Sequence, residues 1–429
     1  MRVLHVSWEY PPIVYGGLGR HVQALTRAQA ERGDDVTVLT QTADATGSVE
    51  EIDGVRVIRA PHDPPAVPFS EETLLAWVLG MQTGMIRAAS GVGSSSISAV
   101  DIVHAHDWVT AHASIALRET LGARALVATI HATEAGRHQG WLPGPLSDAI
   151  HSIEHWLVHD ADRVIACSQH MRREVEQLFA VPGDHVSVIA NGIDVDRWRA
   201  TPARTALARD TYGATGPLVV FVGRLEWEKG AHTLIDALPR LRRRLPGLRT
   251  VVAGRGGHAE ELERQVRARR LGRAVDFVGW LSEPELHGLI AAADVLVIPS
   301  LYEPFGLVAL EGAALGTPLV VARTGGLAEF VDDGVTGRVF EPGDVAGLAD
   351  AVTQALLDAD GSRAMAEVAR DRMRASYAWS LIGEQTDAAY RRALAAADED
   401  RQTRRGTPAA RIPERSVNLL RPAGPLHPH

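Results

Sequence analysis

The chain has 429 residues, 45% of them hydrophobic and 23% charged, with a formal net charge of −9. That length predicts two domains rather than one core, and the composition is that of a soluble globular protein. The acidic balance argues against a nucleic-acid or anionic-membrane surface, and no run of about 18 apolar residues predicts a membrane span.

Short β-branched runs alternate with amphipathic stretches from the first residues onward. Strands are predicted at Val3–Val6, Val36–Leu39, Val55–Ile58, Ile102–His104, Leu126–Ile130, Val164–Ala166 and Val186–Ile189. Helical patterns such as His21–Arg32 and Ile150–His159 lie between them, a βαβ rhythm that implies a parallel sheet. Asp194 to Gly216, with Pro202, reads as an irregular interdomain connection. The rhythm then restarts with strands at Leu218–Val222, Thr250–Ala253, Val275–Val278, Val295–Ile298 and Leu319–Ala322. Thr233–Arg243, Ala259–Arg269 and Leu307–Leu315 read as helices between them, and Leu381–Ala396 as a final one. The predicted fold is α/β, two doubly wound halves, with ligands at the carboxyl ends of the strands. The expected boundaries are 1–198 for the first half, 199–377 for the second, a helix over about 378–396, and a disordered tail over 397–429, where Arg, Pro and Gly dominate.

Cys167 is the only cysteine, so no intrachain disulfide can form, and a small buried thiol is the expected reading. The N-terminus lacks a leader pattern, and together these features predict a cytoplasmic protein. The 44 cations are 43 arginines and one lysine, Lys229. A lone lysine in so arginine-biased a chain points to a site that needs a compact ammonium rather than a planar fork.

Four segments carry the chemistry. Tyr15-Gly16-Gly17-Leu18-Gly19 joins the first strand to the first helix, where glycines let backbone N–H groups approach an anion or simply make a tight turn. It lacks the third glycine of a dinucleotide fingerprint, which disfavours a dehydrogenase. His131 and Asp107 each follow a strand and so lie at carboxyl ends, facing the expected cleft. His104, His106 and Asp107 lack a further ligand set, and no metal is predicted there. Gly223-Arg224-Leu225-Glu226-Trp227-Glu228-Lys229 closes the first strand of the second half. Two cations converging on a strand end suit a leaving diphosphate. Glu303-Pro304-Phe305-Gly306-Leu307 leads into a helix that carries Glu311 two turns on. Carboxylates so placed can accept hydrogen bonds from sugar and ribose hydroxyls, and Gly306 permits close approach at the helix N-terminus.

On these segments, together with Asn191-Gly192-Ile193-Asp194, residues 1–396 resemble the retaining family-4 glycosyltransferases. The resemblance implies the GT-B fold, two Rossmann-like domains facing each other across a cleft. It implies that Arg224 and Lys229 hold the donor diphosphate with a backbone contact from Gly16 and Gly17, and that Glu311 binds the ribose. Glu303 and the amides of Phe305, Gly306 and Leu307 would hold the donor sugar, with His131 and Asp107 near the reacting centre. The backbone around Phe277, Val278 and Gly279 would meet the nucleobase. The implied partners are an ADP-, UDP- or GDP-hexose and a carbohydrate acceptor, with no cofactor and no metal.

Trp8-Glu9-Tyr10-Pro11-Pro12 and His106-Asp107-Trp108 are similar to the glycogen and starch synthases, although Tyr15 stands where those carry a lysine. That departure is shared with relatives such as maltose-1-phosphate synthases. The segment His131 to Trp141 departs from both and is expected to line the acceptor side, with Trp141 able to stack on a pyranose. A glucosyl donor and an α-glucan or small glucoside acceptor are expected. The competing readings are a sugar phosphorylase, a mannosyltransferase, a nucleotide-sugar epimerase and a non-catalytic carbohydrate-binding subunit.

Overall fold

The computed structural model describes residues 1–44, 46–65, 67–91, 97, 99–212 and 216–406. The strands are β1 (Arg2–Val6), β2 (Asp35–Thr42), β3 (Ser48–Ile52), β4 (Val55–Pro61), β5 (Ile102–His106), β6 (Ala125–Ile130), β7 (Arg163–Ala166) and β8 (Val186–Val188), followed by β9 (Leu218–Val222), β10 (Arg249–Ala253), β11 (Val275–Gly279), β12 (Val295–Ile298), β13 (Leu319–Ala322) and β14 (Arg338–Phe340). They form two sheets, ordered β3-β4-β2-β1-β5-β6-β7-β8 and β11-β10-β9-β12-β13-β14. Every pairing is parallel except β3 with β4. Parallel strands covered on both faces by helices read as unbroken apolar runs, which is why most were visible in the sequence.

Each sheet reverses its winding once, between β1 and β5 in the first and between β9 and β12 in the second. Such switch points leave a crevice outside the strand ends. The loops after β1, β5, β9 and β12 carry Gly16–Gly17, Asp107, Arg224–Lys229 and Glu303–Gly306, so topology alone gathers them.

The two halves share an apolar seam. Cys167, Met171 and Val175 of the first half lie in one buried cluster with Tyr302, Phe305 and Leu327 of the second. Polar contacts cross the same seam: the Ser168 hydroxyl donates to the Pro304 carbonyl at 2.7 Å, and Tyr302 OH donates to Glu174 at 2.8 Å. Glu329 accepts the amides of Gln169 and His170 at 2.9 and 2.7 Å. A second-half carboxylate thus caps the first-half helix Gln169–Phe179.

Three expectations need correction. The stretch 194–216 is not wholly irregular, because Pro202–Thr211 is a helix whose N-cap Thr201 accepts the Arg204 amide. The strands β3 and β14 were not foreseen. The disordered tail does not begin at 397: the last helix runs from Trp379 to Gly406. It lies on the first sheet, with Ile382, Tyr390, Ala393 and Ala397 buried among Val3, Ile102, Val127 and Ile165. Arg401 donates to the Arg124 carbonyl at 2.6 Å, fixing the last turns. Residues 407–429 lie outside the described residues.

Candidate active site

The first-half wall is built on histidines. In β1 and β5 the parallel register sets His5 beside His104, and His106 ends β5. All three are fully buried, and burial lowers the pKa of each, that of His5 to about 4. They are therefore neutral rings, each with one donor and one acceptor nitrogen.

Their partners fix which is which. Gln29 spans two groups: its amide nitrogen donates to Tyr390 OH at 3.1 Å, and its oxygen meets His5 Nε2 at 2.7 Å. His5 Nε2 must then carry the proton, leaving Nδ1 as acceptor for His106 Nε2 at 3.0 Å. His106 Nδ1 in turn accepts from His131 Nε2 at 3.2 Å. Hydrogen-bond logic thus assigns His131 the Nε2–H tautomer, with Nδ1 left as an acceptor outside the chain. On a side branch, Tyr390 OH donates to His104 Nδ1 at 2.7 Å, and His104 Nε2 donates to Thr129 at 2.7 Å.

His131 is held from its backbone as well. Its amide donates to Asp107 Oδ1 at 2.7 Å. Asp107 adopts φ 60°, a strained setting for a non-glycine residue, and burial raises its pKa although His131 and its amide oppose this. The His21 ring stands edge-on to His131 at 4.9 Å and to Trp379 at 5.4 Å. Two histidine triples, His5–His104–His106 and His21–His106–His131, bring ring nitrogens within 4.8 Å of one another, close enough to ligate an ion. Asp107 belongs to neither, and the hydrogen-bond chain already accounts for the nitrogens shared by His5, His106 and His131.

The second-half wall is built on charges. Lys229 Nζ donates to Glu303 Oε2 at 2.8 Å, and the Ser300 hydroxyl donates to the same oxygen at 3.1 Å. Arg224 pairs with Glu228 at 2.9 Å, and Arg137, from the first half, lies 3.9 Å from the same Glu228 oxygen. Burial and the neighbouring Arg137 lower the pKa of Arg224, as expected of cations crowded into one crevice.

Gly306 precedes the helix Leu307–Leu315 with φ 104°, a conformation open to glycine alone at little cost. The first residue of that helix, Leu307, faces Gly17 of the other half, where a Cβ would lie 2.3 Å from Leu307 Cδ1. The missing side chain at Gly17 therefore permits the two helix N-termini to approach. Gly16 points its amide inward, donating with Tyr15 to the buried Glu9 carboxylate at 3.0 and 2.9 Å. Phe305 is buried in the seam, and Val278 stands half-buried near the end of the outer strand β11.

Glu311 is reached from the opposite half. Its Oε1 pairs with Arg20 at 2.9 Å, while its buried Oε2 has no partner among the described residues. Burial raises its pKa, offset in part by Arg20. Arg20 also lies over the Trp198 ring at 5.9 Å.

The structure thus brings together Lys229 with Glu303, Gly17 with Leu307, and His131 with Asp107. It ties Arg224 to the first half through Glu228 and Arg137. Sequence reasoning missed Arg20, His5 and His21 as parts of the wall, and it gave Glu9 and Arg137 no individual role within the segments that contain them. Within the segment expected to line the acceptor side, Glu134–Arg137 is a short helix: Thr133 accepts the Gly136 amide, and its hydroxyl donates to Glu174 at 2.5 Å. Trp141, beyond it, is 70% exposed.

Two facing Rossmann-like sheets, with loops from both switch points meeting in a cation-lined crevice, define the GT-B class of glycosyltransferases. The comparisons place the chain within that class. Residues 15–197 match the family model described as Glycosyltransferase Family 4, and residues 209–372 match Glycosyl transferases group 1. The chain is 45% identical to a glycogen synthase of Mycobacterium tuberculosis strain H37Rv, over 96% of this chain and 98% of that one. It is 31% identical to an alpha-maltose-1-phosphate synthase of Mycolicibacterium smegmatis, covering 92% and 100%. Among solved structures it is similar to sucrose-phosphate synthase from Thermosynechococcus elongatus, with a TM-score of 0.78, 25% identity, and 92% and 99% of the two chains covered. This protein belongs to the family-4 glycosyltransferases. No helix among its described residues is long and apolar enough to cross a membrane.

Proposed function

We propose that the protein transfers a glucosyl group from a nucleotide-diphosphate glucose to a hydroxyl of an α-glucan or short glucoside, with retention of configuration and without a metal, in the cytoplasm. The observation that carries this reading is the sole lysine of the chain, Lys229, held 2.8 Å from Glu303 beside Arg224 at the mouth of the crevice. Fixed positive charge there meets the negative charge that develops as the sugar–phosphate bond breaks. The 45% identity to a chain named glycogen synthase supports glucose and a glucan.

In this reading residues 1–198 with the last helix form the acceptor half, and 199–377 the donor half. Arg224 and Lys229 bind the diphosphate, and the N-termini at Gly17 and at Gly306–Leu307 add their dipoles. Glu303, with the amides of Phe305, Gly306 and Leu307, orients the sugar. Glu311 takes the ribose hydroxyls, for which its unpartnered Oε2 is available. Val278 borders the base. His131 Nδ1 accepts from a hydroxyl of the transferred sugar. Asp107 is committed to the His131 amide and Glu303 to Lys229, so the departing phosphate is the base that removes the acceptor proton. Attack on the leaving-group face follows, and configuration is retained. The seam contacts of Ser168, Tyr302 and Glu329 hold the crevice closed against water.

The test is turnover of ADP-, UDP- and GDP-linked glucose and mannose, with nucleotide diphosphate release measured with and without maltooligosaccharide. Acceptor-dependent release from a glucose donor, abolished in Lys229→Ala, is the expected result. Release that needs inorganic phosphate, or no donor consumed at all, would overturn it.

A further inference from the structure

Outside the crevice, the first half carries an aromatic surface that none of the chemistry above uses. Trp8 follows β1, and the Tyr15 ring stacks on it at 5.1 Å with 10° between planes. Trp77 stands edge-on to Trp8 at 6.3 Å, and Phe69 edge-on to Trp77 at 5.0 Å. The two ends of this row are open: Tyr15 is 53% and Phe69 63% exposed. Between them Trp8 is half-buried and Trp77 is buried in the core, so two exposed rings are fixed on one rigid aromatic support, an arrangement that marks a binding surface more often than scattered exposure does.

The row is held rigid by polar groups. Gln41, near the end of β2, donates to the Trp8 carbonyl at 2.9 Å, and its oxygen meets His62 Nε2 at 2.8 Å. His62 follows β4, and its ring lies 4.8 Å from Trp77. The row therefore runs along the carboxyl ends of β1, β2 and β4, adjacent strands of the sheet. His131 and Asp107 lie on the same edge, at β6 and β5. The row begins at Tyr15, next to Gly16 and Gly17, and leads outward from the reacting centre to the rim of the sheet.

We propose that the Tyr15–Trp8–Phe69 row, with Gln41 and His62 beside it, is an extended subsite that binds the α-glucan acceptor beyond the sugar unit at the reacting hydroxyl. Pyranose rings present apolar C–H faces and a rim of hydroxyls. Two open rings with the half-buried imidazole of His62 near them, itself held by the buried Gln41 amide, match both. Burial lowers the His62 pKa and so favours the neutral ring, which can exchange hydrogen bonds with hydroxyls without demanding an anion. An anionic or lipid acceptor would find no fixed positive charge in this row.

This rests on the glucan reading of the preceding subsection, and the test separates the two. With whichever glucose donor the wild type consumes, KM is measured for maltose, maltotetraose and maltoheptaose. In the wild type KM falls as the acceptor lengthens. In Phe69→Ala the KM for maltoheptaose rises roughly tenfold, as expected for a lost aromatic stack, and the chain-length dependence flattens. Phe69→Trp restores it, which a folding defect would not allow, and Tyr15→Ala shows the same loss. A wild-type chain-length dependence that survives in Phe69→Ala overturns the subsite alone. If it is lost instead in Trp141→Ala, the acceptor runs along the other flank of His131. No transfer to any glucan overturns both readings.

Discussion

The two walls of the crevice are built from opposite materials. The first-half wall is a chain of neutral, buried rings, His5, His106 and His131, in which each hydrogen bond fixes the proton of the next. The second-half wall is a set of ion pairs, Lys229–Glu303 and Arg224–Glu228, on side chains that keep some contact with solvent. Neutral buried groups cannot be screened and cannot turn without breaking a bond, so they hold an orientation. The carboxylates Glu303 and Glu228 are largely buried, but an ammonium has three donors and a guanidinium five, so each cation keeps donors for an incoming anion. One wall orients the sugar, and the other receives the charge.

The strongest way to break this contrast is to remove the charge. Lys229→Ala is expected to lower kcat/KM by about 10³-fold, the scale of one lost anion-stabilising donor. Lys229→Arg should restore little of it, because a planar fork does not replace a compact ammonium. Thermal stability should fall as well, because Glu303 is left largely buried without its cation, with the Ser300 hydroxyl still donating to it. Near-wild-type kinetics in Lys229→Ala would remove the charged wall from the mechanism.

The neutral wall should show itself in stability against pH. His5 has a folded pKa of about 4 against an unfolded value near 6.5. Below pH 6.5 the unfolded chain therefore binds more protons, and stability falls as pH drops from 6.5 towards 4. For His5 alone the loss approaches about 3 kcal/mol, with the other buried histidines adding in the same direction. Chemical denaturation from pH 7.5 to 4.5 measures it, and a flat profile through that window would show that the rings are charged or already solvated.

A smaller effect sharpens the link to the last helix. Tyr390→Phe leaves the Gln29 amide and His104 Nδ1 without their shared partner, at a cost of about 1–3 kcal/mol. It should also lower kcat modestly, because Gln29 no longer holds His5 and the chain to His131 loosens. A stability loss with no kinetic change would confine Tyr390 to packing. The smallest expected effect is that of chelation: EDTA should change turnover by less than about twofold, because Arg224 and Lys229 supply the charge a metal would otherwise give. Loss of activity restored by zinc would reassign the histidine triples as ligands.

Reading the sequence went furthest where one element decides the outcome. Val295–Ile298 and Leu319–Ala322 are buried on both faces and read as strands without ambiguity. The edge strand β3, Ser48-Val49-Glu50-Glu51-Ile52, is mostly exposed and too polar to announce itself. The helix Pro202–Thr211 carried its cap and its proline, but with Ala208 as its one buried residue it lacks an apolar stripe. The last helix continues past Ala396 because Ala397 and Arg401 find partners on the first half, which composition cannot reveal.

The sequence by itself determined the α/β rhythm, the two halves, and the local motifs whose residues are neighbours in the chain. A strand followed by glycines or cations sets its own geometry, since backbone and side chains there answer to the adjacent turn. Only the tertiary structure decided that Arg20 meets Glu311, that Gly17 meets Leu307, and that His5, His106 and His131 form one line. Those contacts depend on the register between parallel strands and on the closure of one half over the other. Both are set by the summed burial of two cores, and no local pattern encodes them.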